Sequence, residues 1–423
     1  MQQPHRASPP QPSGPPAPCP WCDAPGQTGP YCVSCGRALP ARLPDGSLAP
    51  AQLPPARRPS RAIARALLWA IGALLLLCAV LILISGVPDP QALGLSIAAA
   101  TIPAVVIGRI ILRLDRYEPE PPKALALAFL WGAAGAIVLS LFGSIFLSAM
   151  ARDIDSVVII APLVEESFKG LALVVLTYTY RRELDNTLDG LIYGALIGLG
   201  FAFTENVLYF GQAYLSDGLP ALGALFIGRA VFGGFGHAVY TGIIGAAIGW
   251  ARGRYFRGVM RFVVPFLGWC LAVALHAAWN AGATGVWQVV DGEHNFFLGI
   301  ASLSLIVTLP GVLLLLLVAH LAHRRELAIL REQLAPEVAS GALTAAEFAA
   351  VTDDTLRKQR LRIAQQTGGT GLRRLQQQFF DEAANLAYRK HHLQQGERLT
   401  PGQAAPEPQL RAELADLRAR LPG

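Results

Sequence analysis

Charge is scarce in this 423-residue sequence: 15% of residues are charged while 53% are hydrophobic, and the mean hydropathy is +0.41. Ordinary soluble proteins carry about 25% charge, so a plain soluble enzyme is excluded. Cysteine is scarce too. The six cysteines are too few and too unevenly placed for a disulfide-stapled secreted fold, since four fall within residues 19 to 35 and Cys78 and Cys270 sit inside apolar runs. Those two read as small core hydrophobes rather than ligands. The start of the chain also lacks the apolar stretch of a cleavable signal peptide, because its first 60 residues are polar and hold 16 of the 31 prolines.

What is present is a set of long apolar runs between about residues 62 and 320, the mark of a polytopic membrane protein. A spanning helix needs about 20 mostly apolar residues. That rule predicts about eight helices, approximately 63–85, 92–112, 124–149, 156–179, 188–210, 224–250, 262–283 and 296–320. The net charge of +6 would suit a nucleic-acid binder, but Lys and Arg stand mostly at the ends of these runs. Arg57, Arg58, Arg61 and Arg65 precede or open the first; Arg113, Arg116 and Lys123 follow the second; Arg181 and Arg182 follow the fourth. Arg252, Arg254, Arg257 and Arg261 follow the sixth, and Arg324, Arg325 and Arg331 the eighth. The alternate connections hold Asp89, then Arg152 with Asp153 and Asp155, then Asp217, then Asp291 and Glu293. Basic residues mark cytoplasmic loops, so an even number of spans with both termini cytoplasmic in the cell membrane fits, and no nucleic-acid partner is expected.

The flanks divide the rest. Residues 1–18 and 38–60 are Pro-rich and poor in large apolar residues, hence a disordered tail and a linker. Between them, in residues 19–37, stand Cys19-Pro-Trp-Cys22 and Cys32-Val-Ser-Cys35. Two such pairs supply the four thiolates of a tetrahedral structural zinc, a ribbon-like knuckle with no open coordination position for catalysis. Residues 61–320 form the membrane domain and 321–423 a cytoplasmic tail. Two tail stretches, Leu372 to about His391 and Leu410 to Leu421, have amphipathic spacing, with Gly368, Gly369 and Gly371 before the first and Pro401, Pro406 and Pro408 between the two. The fold class is all-α throughout.

Ionisable residues in hydrocarbon are costly and by default mark function. The fourth run carries Glu165-Glu166-Ser-Phe-Lys169 and the fifth Phe201-Ala-Phe-Thr-Glu205-Asn206. Arg229 and His237 lie in the sixth, His276-Ala-Ala-Trp-Asn280 in the seventh. At 100° per residue, Lys169 stands roughly 40° from Glu165 and roughly 60° from Glu166, so it can reach either one turn away. Counted from the outer end of each span, Glu165, His237 and His276 fall roughly 10 to 20 Å deep, with Glu205 and Asn280 somewhat nearer the surface. These groups could simply join helices to one another. Chemistry is the better reading for the set, because the many glycines already permit close helix contact without two acidic sites, two histidines and an Asn at similar depth.

Glu-Glu-x-x-Lys, Phe-x-x-x-Glu-Asn and His-x-x-x-Asn on nearby spans resemble the PrsW family of intramembrane proteases, related to the prenyl-protein endopeptidase and bacteriocin-immunity superfamily. Asp115-Arg-Tyr-Glu118-Pro-Glu120-Pro resembles that family's acidic, Pro-containing loop. The likeness covers roughly residues 100 to 285. It implies an intramembrane endopeptidase that cuts single-span membrane proteins, anti-sigma-factor-like substrates, with a glutamate-activated water. Carried over by position, Glu165 is the base, Glu166 its partner and Lys169 the group that tunes the pair. His237 and His276 orient water or protonate the leaving amine, Asn280 donates to the oxyanion, and Asn206 completes the set. Glu205 stands where related members commonly have a histidine.

Other hydrolase signatures are missing: there is no His-Glu-x-x-His, no Gly-x-Ser-x-Gly, and no Asp deep in a span. Glu165, His237 and His276 are nevertheless residue types that bind metals, so a metal site stays open. Two other readings compete: a proton-coupled transporter using the same carboxylates and histidines, which the lack of a visible inverted repeat disfavours, and a non-catalytic scaffold recruiting partners through the knuckle and tail.

Overall fold

The computed structural model describes residues 87–115, 120–179, 184, 186–253, 258–289, 293–394 and 407–422, and every regular element among them is helical. The two cysteine pairs, the Pro-rich linker, the first expected span with Cys78, and Glu118 in the acidic loop lie outside the described residues.

The first described helix, α1 (Pro90–Leu112), starts where Asp89 accepts from the Ala92 amide at 2.7 Å and Pro90 supplies a preset φ. Next, α2 (Pro122–Leu130) and α3 (Ile137–Met150) join through a π-helical stretch, Trp131–Ala136. A second π-turn, Ser156–Ile160, capped by Asp155, leads into α4 (Ala161–Thr179). Then α5 (Thr187–Phe226) begins at a reciprocal cap between Asn186 and Asp189. The remaining membrane-domain helices are α6 (Gly236–Gly253), α7 (Met260–Val289), α8 (Glu293–Leu303) and α9 (Leu309–Ala339).

Among the described residues, five helical stretches are long and apolar enough to cross a membrane: Pro90–Leu112, Pro122–Met150, Thr187–Arg252, Met260–Val289 and Asn295–Ala339. The third, at 66 residues, contains two interruptions. Gly218 takes φ 69° with Pro220 close behind, which bends α5; further on, residues 233–235 break the helical run between a π-segment, Ile227–Phe232, and α6. The expected fifth span therefore runs on past residue 210 to this bend, and the expected sixth is a broken helix. In α4, Glu165, Glu166 and Lys169 interrupt the apolar run. Outward-facing Ile102, Val106, Phe142, Ile145 and Phe146 are all more than half exposed, the surface that lipid would cover.

Glycine sets the tightest packing. A Cβ on Gly190, Gly194 or Gly198 of α5 would run into the backbone carbonyls of Gly245, Thr241 and His237 of α6. Four-residue spacing puts these glycines on one face, so the two backbones meet directly, as small residues allow in lipid. Around this contact lies the main core, including Leu191, Tyr193, Ile197, Tyr240, Ile243 and Ile244.

Beyond the membrane domain, α9 continues into a helical module with α10 (Ala345–Thr352), α11 (Asp354–Gln394) and α12 (Glu407–Arg420). Leu330 and Leu334, Val351, Phe379 and Phe380, and Leu410 and Leu414 make its separate core. The bend in α11 falls at Gly368 and Gly369, where the sequence places its breakers. Asp115 stands close enough to feel Glu326, Asp381 and Arg357, and burial pushes its carboxyl up to about 6.

Replacing Gly194 or Gly245 with Ala forces the α5 and α6 backbones apart, and thermal unfolding of the purified protein should show each costing at least about 1–3 kcal/mol. Gly94→Ala, where a Cβ meets nothing within 4 Å, should be neutral. Equal stability of all three would contradict the backbone contact.

Candidate active site

Four helices bring their polar residues to one place: α4 contributes Glu165, Glu166 and Lys169, α5 Glu205 and Asn206, α6 His237, and α7 His276. The centre is Lys169, which has no solvent exposure. Its Nζ donates to Glu166 Oε1 at 2.8 Å and to Glu165 Oε2 at 3.2 Å, and lies 3.0 Å from His237 Nδ1. Helical spacing places both carboxylates within reach, and the lysine bonds both rather than one. The Phe201 ring lies under the ammonium at 3.7 Å.

Because an ammonium has only protons to offer, His237 Nδ1 must be the lone-pair nitrogen. Its Nε2–H then donates to Glu205 Oε2 at 2.8 Å. His276 is oriented the other way round. Its Nδ1 lies 3.1 Å from Glu166 Oε1, an acceptor, so Nδ1 carries the proton and Nε2 points onward, 3.9 Å from Glu165 Oε2. The other oxygen of Glu166 accepts from Thr241 Oγ1 at 3.0 Å. Glu166 is thus fully used and fully buried, whereas the Glu165 side chain keeps 13% exposure.

Glu205 also accepts from Arg229 Nη2 at 2.6 Å, while Arg229 Nε donates to Asn206 Oδ1 at 3.0 Å. Asn280 is not part of the cluster as bonded here: one turn beyond His276, its Nδ2 donates to the Val157 carbonyl at 2.9 Å, tying α7 to the π-turn that begins the Glu165 segment. Three contributors are not legible in the sequence as site residues. Thr241 and Tyr240 follow His237 by four and three residues, a spacing that places them on its face, and the Tyr240 ring stacks on His276 at 5.0 Å. Phe201 is visible only as the start of a motif.

The carboxylates and imidazoles suit a divalent metal by type, and one ligand atom from each of Glu165, Glu166, His237 and His276 lies within 4.8 Å of the others. Their arrangement does not suit it. The Lys169 ammonium already lies among them, taking the single lone pair of His237 and contacting both glutamates. A dication there would face a buried positive charge at bonding distance. As bonded, these residues do not fit a metal.

A family described as PrsW family intramembrane metalloprotease matches residues 120–315, a segment that contains all eight residues expected at the site. Protease PrsW of Oceanobacillus iheyensis is 31% identical over 235 residues, 53% of this chain and 93% of that protein. Protease PrsW of Geobacillus kaustophilus is 27% identical over 222 residues, 49% of this chain and 86% of that protein. Protease PrsW of Shouchella clausii is 26% identical over 186 residues, covering 44% and 81%. No solved structure matches.

Removing the central cation alone strands two buried carboxylates, so Lys169→Met should destabilise the protein by about 3–5 kcal/mol. Adding Glu166→Gln should recover part of that loss. A double variant as unstable as the sum of the single changes, measured by thermal unfolding, would mean that the two side chains do not act as a pair.

Proposed function

Since the chain belongs to the PrsW family of intramembrane proteases, we propose that it cuts membrane-anchored proteins with a water activated by Glu165. The observation that carries this reading is the gap between Glu165 Oε2 and His276 Nε2. At 3.9 Å, on the one exposed edge of the carboxylate pair, it lets a single water reach both atoms.

Glu165 takes a proton from that water, and the oxygen attacks the carbonyl carbon of the scissile peptide. The resulting tetrahedral oxyanion collapses with cleavage of the C–N bond, and the proton held on Glu165 passes to the leaving amine nitrogen. Glu166 stays ionised between Lys169, His276 and Thr241, so its task is to fix their positions rather than to move protons. Lys169 supplies positive potential beside the developing negative charge, and His237 holds the ammonium in place through its Nδ1 lone pair. Asn280, one turn away, would exchange its bond to Val157 for one to the oxyanion.

The membrane domain is read as eight spans with both termini in the cytoplasm, which sets the cut near the outer boundary of the cell membrane. The substrate class is a single-span membrane protein, anti-sigma-factor-like. The four N-terminal thiolates of Cys19, Cys22, Cys32 and Cys35 hold a structural zinc, separate from the chemistry.

Glu165→Gln should lower cleavage of a single-span substrate at least about 10³-fold with folded protein retained. Cleavage at the wild-type rate would remove Glu165 as the base. The quadruple variant Cys19→Ser, Cys22→Ser, Cys32→Ser, Cys35→Ser should contain no zinc by elemental analysis and still cut. If its activity vanished with a chelator and returned with added zinc, a metal at the glutamates would have to replace the water-and-glutamate scheme.

A further inference from the structure

A continuous line of charge runs out of the cluster and ends at Arg229, a residue to which the hydrolytic scheme gives no role. Arg229 sits on the π-helical segment Ile227–Phe232, before the break at residues 233–235 that separates it from His237. It bonds three neighbours from α5. Its Nη2 donates to Glu205 Oε2 at 2.6 Å, its Nε donates to Asn206 Oδ1 at 3.0 Å, and its guanidinium lies 3.9 Å over the Tyr209 ring. The guanidinium is therefore clamped in plane and in position.

The Glu205 oxygen that accepts from Arg229 is the same one that accepts from His237 Nε2. With a full positive charge on one side, the Glu205 carboxylate needs from His237 only a hydrogen bond, not the proton itself. Arg229 thus offsets the pull of Glu205 toward an imidazolium, in concert with Lys169, which meets the Nδ1 lone pair at 3.0 Å while Nε2 holds the proton. Were His237 to become an imidazolium, its Nδ1–H would point at the ammonium, and Lys169 would be driven off the glutamates.

Building on the proposed glutamate mechanism, we propose that Arg229 is a positioning residue: by neutralising Glu205, it locks the His237 tautomer that aims Lys169 at Glu165 and Glu166. Arg229 touches neither the reacting water nor either glutamate of α4. Its effect passes through Glu205 and His237, and so it should appear in kcat rather than in KM.

The test uses the full-length protein purified into lipid nanodiscs, a fluorescent single-span substrate, and ¹⁵N spectra of histidine-labelled protein. Arg229→Gln should lower kcat about 10- to 100-fold with KM within about twofold, and the spectrum should lose the signal of a neutral His237 protonated on Nε2. Arg229→Lys, which keeps the charge but not the bond to Asn206, should restore that signal and part of kcat. In a Glu205→Gln background, Arg229→Gln should cost nothing more. An unchanged His237 spectrum in Arg229→Gln, a further loss in the Glu205→Gln background, or a rise in KM at constant kcat would each overturn the proposal. The spectra need no turnover, so active Glu165→Gln protein would overturn the mechanism, while the tautomer signal would still decide the role of Arg229 independently.

Discussion

An ammonium with no exposure, inside a domain meant for lipid, is the constraint around which the membrane part of this protein is arranged. Lys169 cannot be left unpaired in hydrocarbon, and pairing it with one carboxylate would still leave donor valence unused. It is met by two carboxylates of its own helix, by an imidazole from α6 and by an aromatic face from α5. Each partner then needs a partner. His237 is satisfied by Glu205, Glu205 by Arg229, and Glu166 by His276 and Thr241. One buried cation therefore dictates the orientation of side chains on four helices.

The backbone serves this arrangement in two ways. Glycines at four-residue spacing let α5 lie directly on α6, and Gly198 meets the carbonyl of His237 itself, which fixes how near that imidazole comes to the α5 residues. The break at residues 233–235 then lets two parts of one chain segment approach α5 separately, Arg229 from the π-segment and His237 from α6. An unbroken helix would hold those two residues, eight apart, at a fixed separation and angle; the interruption lets both reach Glu205 Oε2. The two α4 glutamates, adjacent in sequence, differ in access: Glu166 is fully enclosed, while Glu165 keeps 13% exposure.

Much of this is legible without the tertiary structure. The expected helices at 92–112, 124–149 and 262–283 fall within helices long and apolar enough to cross a membrane, because length and apolarity in lipid leave few alternatives, whereas 156–179 forms a helix that its charged residues keep out of that set. The expected sixth helix is less legible: glycines at 233, 234 and 236 are compatible with either close packing or a break, and only packing against Trp279 of α7 and Ile107 of α1 decides. In the tail, the two amphipathic stretches fall within α11 and α12, but the polar continuation of α9 and the helix over 354–367 have no apolar face strong enough to announce themselves. Asn280 shows the same limit. Its spacing from His276 puts it on the right face, while its actual partner, the Val157 carbonyl, lies 123 residues away.

Sequence alone determined the class of the protein, the residues that must avoid lipid and the pairs one turn apart, because hydropathy and helical periodicity act locally. Tertiary structure decided what no local rule reaches: which nitrogen of each histidine carries its proton, which of the two α4 glutamates is fully enclosed, and that Arg229 closes the line of charge. Those outcomes depend on distances between helices, and the distances are set by where glycine lets two backbones touch.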